Sequence, residues 1–278
     1  MTKLCEFKQN FRRSKSLMQS KHLPNPHIEI TNQFTIGTTG IFIAVTIVGI
    51  WATSLIFLLL FDLSKLNILE LVLAILGQTF IYTGLFITAH DAMHGVVFPK
   101  NIKINHLIGT LSLFSYGFLS YKTLLKKHWL HHHHPASELD PDFHDGKHKN
   151  FFAWYFYFMK NYWSWGQIIT WIIVYNSVHY ILHIPHTNLI LFWALPSLLS
   201  SLQLFYFGTF LTHREPQGGY IKPHFAQTIS MPTWLSLITC YHFGYHKEHH
   251  EYPHLAWWQL PEIYKLNKLT KTELSISN

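Results

Sequence analysis

Apolar residues run through this chain in long blocks that charged residues interrupt at only a few places. Positions 34–61 contain no charged side chain, and positions 66–89 contain only Glu70. Each block exceeds the roughly 20 apolar residues that cross the hydrocarbon core of a bilayer, so together they predict a hairpin of two transmembrane helices turning near Lys65. Positions 161–213 again lack Asp, Glu, Lys and Arg, with a polar break from His183 to Asn188. That pattern predicts a second hairpin with the break as its turn.

Two further apolar stretches, 104–121 and 225–245, are long enough to be mistaken for spans. Lys and Arg are concentrated in the first 33 positions, between Lys100 and Lys149, and from Arg214 onward, whereas the hairpin tips hold only Lys65. By the positive-inside tendency, both termini and the middle loop are cytoplasmic. Counting one of them alone as a crossing would put some of the histidine clusters at 90–94, 128–132 and 246–250 on opposite faces. Both are therefore expected to be in-plane, re-entrant or protein-buried helices, with Gly109 and Gly117 in the first and Pro232 in the second.

The predicted fold is thus an all-α integral membrane protein, multi-pass, with two transmembrane helical hairpins (four spans) and additional in-plane or cytoplasmic helices. The expected division is a polar N-terminal segment 1–33, a single membrane-embedded domain 34–261 and a polar C-terminal tail 262–278. The N-terminal stretch has no apolar run before Phe34, so a cleavable signal peptide is not expected.

Composition agrees with lipid as the solvent. Of 278 residues, 49% are hydrophobic, 17% aromatic and only 13% charged, against about a quarter charged in an ordinary soluble domain. The formal charge of +7 carries no nucleic-acid reading motif with it, so anionic headgroups or an acidic protein partner are the expected counterparts. Cys5 and Cys240 are the only cysteines, which excludes a disulfide framework and a thiolate-ligated iron–sulfur cluster. Any redox electrons must come from a separate protein.

Chemistry concentrates in three histidine clusters: His90 with His94, His128 with His131 and His132, and His246 with His249 and His250. Residues three or four apart share one helix face and can present imidazoles to one ion. One mononuclear ion cannot use so many, so two ions sharing eight or nine histidines is the natural count. With four spans, all three clusters fall on the same cytoplasmic side.

These boxes, with the lone His213 ahead of the last one, resemble the membrane fatty-acid-desaturase superfamily of non-haem di-iron enzymes. Within it, His-Asp-Ala-Met-His-Gly at 90–95, Leu-Asp-Pro-Asp-Phe at 139–143, Phe-Gly-Thr-Phe-Leu at 207–211 and Tyr-His-Phe-Gly-Tyr-His-Lys-Glu-His-His at 241–250 resemble bacterial and cyanobacterial β-carotene ketolases. The similarity runs from about Ile41 to Pro261. It implies two iron ions (Fe2+) and O2 as cosubstrate, with zinc as a substitute metal in a structure. It also implies oxidation of position 4 of a β-ionone ring, converting membrane-dissolved β-carotene to echinenone and then canthaxanthin. The implied ligands are His90, His94, His128, His131, His132, His213, His246, His249 and His250. An external donor, a ferredoxin, would supply electrons, with a docking face expected at Lys122, Lys126 and Lys127.

Other readings stay open beside these. His133 and His134 extend the second box, although Pro135 disfavours helical geometry at His134. His242 lies four before His246 and is expected to share its helix face, as a ligand or a hydrogen-bond partner. Asp91, Asp140 and Asp142 are candidates to hold the outer N–H of ligating histidines, with a solvated turn as the plain alternative at 140–142. For Glu248 and Glu251 a surface charge is as ready a reading as a role beside the histidines. The aromatic run 151–158 reads as an interfacial belt, or else as the wall of a lipophilic substrate channel. His250-Glu-x-x-His254 mimics a zinc-protease motif, but Pro253 breaks the helix that motif needs. A carotenoid ring hydroxylase or a fatty-acyl desaturase or hydroxylase would share the same site, and a histidine-rich metal transporter is the alternative from another class.

Overall fold

The computed structural model describes residues 26–220 and 222–276, with side chains from 38 to 220 and 222 to 269. Most of the expected N-terminal segment 1–33, including Cys5, lies outside the described residues. The described chain is helical, with no strand among those residues.

Helix α1 (Pro26–Leu60) and helix α2 (Ile68–Met93) pack against each other across a short turn. Their turn is fixed locally. Asp62 Oδ1 accepts from the Ser64 N–H and hydroxyl, and Asn67 and Glu70 cap α2 reciprocally, Glu70 N to Asn67 Oδ1 at 3.0 Å and Asn67 N to Glu70 Oε2 at 2.9 Å. The single acidic residue of the second apolar block is thus a helix cap that satisfies end N–H groups. At the other side of the turn, the last carbonyls of α1 have no partners within their own helix. The Asn188 amide reaches them from the distant polar break, donating to the carbonyls of Leu58, Leu59 and Phe61 at 3.0, 3.2 and 2.8 Å.

Helix α3 (Ile102–Gly117) lies against α2, and helix α4 (Tyr121–His133) turns back towards the end of α2. Glycine sets the approach of these three helices: a Cβ on Gly109 would stand 2.3 Å from the Tyr121 ring and 2.8 Å from Ala92 Cβ. The stretch read as 104–121 thus packs one face against protein, while Ile104, Leu107, Leu111 and Phe114 on it are exposed. Helix α5 (Phe151–Tyr162) carries the aromatic run.

Helix α6 (Trp165–Leu182) ends at His183, whose φ of 54° is left-handed, and helix α7 begins at His186. The rings of His179 and His186 stack 3.6 Å apart, so the chain folds back at the predicted break. Helix α7 (His186–His213) is continuous but contains two π-helical turns, Ile190–Ala194 and Tyr206–Phe210. It is joined to α2 by buried hydroxyls, with Thr83 Oγ1 2.9 Å from Ser200 Oγ and 2.6 Å from Gln203 Oε1. Three helical segments are long and apolar enough to cross a membrane: Thr38–Leu60, Ile68–Met93 and His186–His213. Large apolar side chains on them face outward, among them Phe42, Phe57, Ile68 and Leu69. Segment α6 is shorter and carries Gln167, Asn176 and His179, which lower its hydropathy.

Beyond α7, the sequence expectation of one helix over 225–245 is corrected. Only α8 (Thr233–Cys240) is helical there, opened by extended Pro232 and closed by left-handed Tyr241 (φ 47°). Ile229 N donates to Gly244 O at 2.8 Å, folding the two flanks of α8 onto each other. The short helix α9 (His246–Glu251) and helix α10 (Leu260–Ile276) complete the fold, so the tail after 261 is largely helical.

The Gly109 contact gives a direct test. Gly109→Val should destabilise the folded protein by about 1–3 kcal/mol through overpacking against Tyr121. Gly77→Ala, where nothing lies within 4 Å of the added carbon, should be close to neutral; thermal unfolding in one detergent compares the two.

Candidate metal centre

Four separate elements converge at one end of the helical core. The last turn of α2 supplies His90 and its C-cap supplies His94, α4 supplies His128, His131 and His132, the end of α7 supplies His213, and α9 supplies His246, His249 and His250. The spacing in α4 puts its three histidines on the inner face, leaving His133 and His134 exposed, with His133 stacked on Trp129.

Eight of these side chains form two nests. His90, His94, His128 and His249 make one, and His131, His213, His246 and His250 the other, with the ligand atoms of each nest within 4.8 Å of one another. His132 sits at the seam, its Nε2 3.0 Å from His249 Nε2 and its ring stacked 4.3 Å from that of His250.

The nitrogen spacings fit metal ions. Two imidazole nitrogens each about 2.1 Å from one ion, at right angles about it, stand about 3.0 Å apart. The Nε2 atoms of His131 and His250 are 3.0 Å apart, and those of His250 and His246 are 3.1 Å apart. In the first nest the His94–His128 Nε2 separation is tighter, 2.6 Å. His90 Nε2 and His213 Nε2 are buried with no hydrogen-bond partner among the described residues, and such orphaned nitrogens are rare unless something absent completes them.

Protonation favours the same conclusion. Burial, with the neighbouring imidazoles second, holds His94, His128, His132, His246, His249 and His250 well below the ordinary histidine range, so they are neutral and keep lone pairs for a metal. His131 is the exception. Burial again opposes its charge, but Asp140 and then Asp142 outweigh that and push it up to about 9.

Outer hydrogen bonds aim several rings. Asp140 Oδ1 lies 2.9 Å from His131 Nδ1, and the same carboxylate accepts from the N–H groups of Ala136 and Asp142, so the 137–142 turn is built around a histidine rather than around water. Asp142 accepts from the Tyr162 hydroxyl and lies 3.9 Å from His131 Nδ1. Asp91 accepts from Trp257 N at 3.0 Å and stands 3.4 Å from His90 Nδ1. His213 Nδ1 donates to the Phe225 carbonyl at 3.1 Å, a partner no side-chain pattern could reveal. Such contacts fix tautomer and ring direction.

One sequence expectation fails here. His242 does not share a helix face with His246, because it has a left-handed φ of 62° in the turn before α9, and it belongs to neither nest. Its ring lies 5.8 Å from that of Trp257. Of the two glutamates left open, Glu248 is buried, 4% exposed, and accepts from the Thr228 hydroxyl, whereas Glu251 is exposed. The protease-like pattern is broken as its proline predicts, since α9 ends at Glu251.

An apolar cavity of about 460 Å³ opens onto the nests. His90, His128, His131 and His246 form one wall, and Phe86, Tyr116, Trp171, Phe205 and Phe243 contribute much of the rest. Phe158, Met159 and Tyr162 of α5 also line it, so the aromatic run 151–158 reaches this cavity at its last residue. A second cavity of about 370 Å³ shares Met159, Trp163, Ile168 and Leu198 with the first and extends past α5.

Histidine nests at the end of apolar helices, opening on an apolar cavity, define a membrane-associated metalloprotein. The chain belongs to the fatty acid desaturase family, whose model matches residues 66–176 and 159–273. It is 35% identical over 235 residues to the zeaxanthin 4-ketolase of Chlamydomonas reinhardtii, covering 80% of this chain and 52% of that protein. It is 35% identical over 252 residues to the β-carotene 4-ketolase of Protosiphon botryoides, covering 82% and 64%. With the β-carotene ketolase of Paracoccus sp. (strain PC1), identity is 40% over 196 residues, 70% of this chain and 79% of that protein. The alignments thus span about half to two thirds of the two algal relatives' length.

Metal analysis of purified protein tests the two nests separately. His249→Ala and His250→Ala, one from each, should each lower bound metal from about two ions per chain towards one, and the double variant towards none. Asp140→Asn should keep the metal but weaken its retention against a chelator by about 10–100-fold.

Proposed function

We propose that this protein is a β-carotene ketolase, an O2-dependent di-iron oxygenase that oxidises position 4 of β-ionone rings, giving echinenone and then canthaxanthin. The observation that carries this reading is the apolar cavity whose wall is made by histidines of both nests. On this reading the nine histidines His90, His94, His128, His131, His132, His213, His246, His249 and His250 hold two iron ions, with His132 at the seam between them. Iron supplies oxygen activation when bound, and zinc is an expected substitute in overexpressed protein.

The chain's own residues do the rest. Aromatic and aliphatic walls take the hydrocarbon substrate out of the bilayer and exclude water from the reacting carbon. Asp140, pinned by two backbone N–H groups, keeps His131 aimed while the substrate ring lies against the histidine wall. Each hydroxylation replaces one hydrogen of the allylic carbon by a hydroxyl, and the second oxygen atom leaves as water with two electrons and two protons. Two hydroxylations at one carbon give a geminal diol, which loses water to the ketone.

The membrane arrangement we propose has four spans, with α6 as the fourth. It has no buried residue and presents Ile169, Ile172, Ile173 and Ile181 outward, a surface suited to lipid. Its 18 residues reach about 27 Å, close to a bilayer core of about 30 Å. Both termini and the histidine nests then face the cytoplasm.

Electrons come from a small acidic ferredoxin. Of the three lysines expected to receive it, Lys127 is turned inward, donating to the Asn161 carbonyl with its ammonium 4.8 Å from the Tyr162 ring centre. Lys122 and Lys126 stay exposed, and Trp129 and His133 continue their helix face at the next i+3 and i+4 steps. Trp129 lies 5.3 and 5.8 Å from the rings of His94 and His132, a short route inward.

Expression in a host that accumulates β-carotene, with pigment analysis by chromatography and mass spectrometry, tests the activity. Ketone formation, one oxygen in place of two hydrogens per ring, is expected; added oxygen without hydrogen loss would make the protein a hydroxylase. For the donor, Lys122→Glu with Lys126→Glu should weaken ferredoxin association at low salt by about tenfold or more, with the difference shrinking as salt rises.

A further inference from the structure

Gln167 departs from what its local sequence offers it. Ser164 caps α6, its hydroxyl accepting from Gln167 N at 3.2 Å. With Gln at the third helical position, the reciprocal bond from the Ser164 N–H to the Gln side chain is the ordinary outcome. Instead the amide reaches across to α3, where Gln167 Nε2 donates to the Gly117 carbonyl at 2.8 Å. That bond also fixes the amide's sense, because a reversed amide would set Oε1 against the carbonyl oxygen.

The consequence is an acceptor with nothing to accept. Gln167 lines the large cavity, and its Oε1 is buried with no hydrogen-bond partner among the described residues. Apart from imidazole nitrogens, it is the only such side-chain atom among the described residues lining that cavity. Three of the other polar side chains there donate elsewhere: Ser197 Oγ to Ala194 O, Ser201 Oγ to Leu198 O, and the Tyr162 hydroxyl to Asp142. A buried acceptor left unpaired is costly, and a donor supplied by a ligand removes that cost.

Resting on the ketolase reading, we infer that Gln167 is a specificity-determining residue that accepts a hydrogen bond from a ring hydroxyl of the bound carotenoid. A pure hydrocarbon has no O–H to offer. The hydroxyl has two possible sources, one already carried by the substrate and one left by the first oxidation. A site with an acceptor in place discriminates by the hydroxyl's presence, because without it the acceptor stays unpaired.

Competition between zeaxanthin and β-carotene in one enzyme preparation tests this, since the ratio of turnovers does not depend on how much protein folds. In Gln167→Met the zeaxanthin to β-carotene ratio should fall by about five- to tenfold, and Gln167→Glu, which keeps an acceptor, should recover part of it. A fall in that ratio assigns the acceptor to the hydroxyl carried in. Accumulation of 4-hydroxylated product from β-carotene alone assigns it to the hydroxyl made in the first step. Neither change in Gln167→Met overturns the proposal. Quenching of cavity tryptophan fluorescence by the two pigments reads the affinity ratio without turnover. Wild-type protein that binds both but ketolates neither would therefore overturn the ketolase reading, while the affinity ratio still decides the role of Gln167.

Discussion

Nine imidazoles gathered at one point cannot all be charged, and once neutral they cannot all be satisfied by one another. That constraint governs the described fold. Each buried polar nitrogen without a partner costs about 1–3 kcal/mol, and the two nests contain several whose only neighbours are other imidazoles. A positive ion in each nest reverses the account, because neutral lone pairs then face a charge. The helices are arranged to make that reversal available. Carboxylates and carbonyls hold Nδ1 of His131 and His213 from outside, and the Nε2 atoms are left to converge.

Bringing His213 to this point takes a distortion of α7. Each π turn accommodates one residue beyond the α-helical count, which rotates the downstream face by about 100°. The second π turn, Tyr206–Phe210, lies immediately before His213 and contains Gly208, where an added Cβ would stand 2.3 Å from the Phe243 ring. The same turn therefore rotates His213 inward and admits the aromatic ring that walls the cavity beneath it. Such interruptions are common at functional sites because regular geometry would aim the side chain elsewhere.

Much of this was legible in the sequence, and the legible part follows a simple rule. Features set by local spacing came through: the apolar blocks, the inner face of α4, the break at His183–Asn188, and the proline that ends the protease-like motif. Features set by contact between distant segments did not. Glu248 looks like a surface charge on a polar hexapeptide and is buried only because the 225–230 segment folds over it. His242 has helical spacing to His246, yet left-handed backbone at Tyr241 and His242 ends that phase. Lys127 reads as one of three surface lysines until Asn161 and Tyr162 of α5 are placed beside it. His213, isolated in sequence, could be assigned only through its resemblance to a family pattern, and tertiary structure supplies its neighbours.

The helix that joins these parts is α5. Its Trp154 Nε1 donates to the Asp142 carbonyl and its Asn161 amide to the Pro141 carbonyl, both at 2.9 Å, and its Tyr162 hydroxyl reaches the Asp142 carboxylate. The turn that orients His131 is thus fastened to α5 at three points. The same helix lines the large cavity through Phe158, Met159 and Tyr162, and the second cavity through Tyr155, Phe156 and Met159. A displacement of α5 by an occupant of the cavity must therefore pull on the carboxylates behind His131. Rigid packing around Trp154, Tyr155 and Phe205, all buried, resists that displacement. The cavity wall and the turn that aims His131 thus meet in one helix, whose sequence, read alone, left an interfacial belt and a channel wall as alternatives.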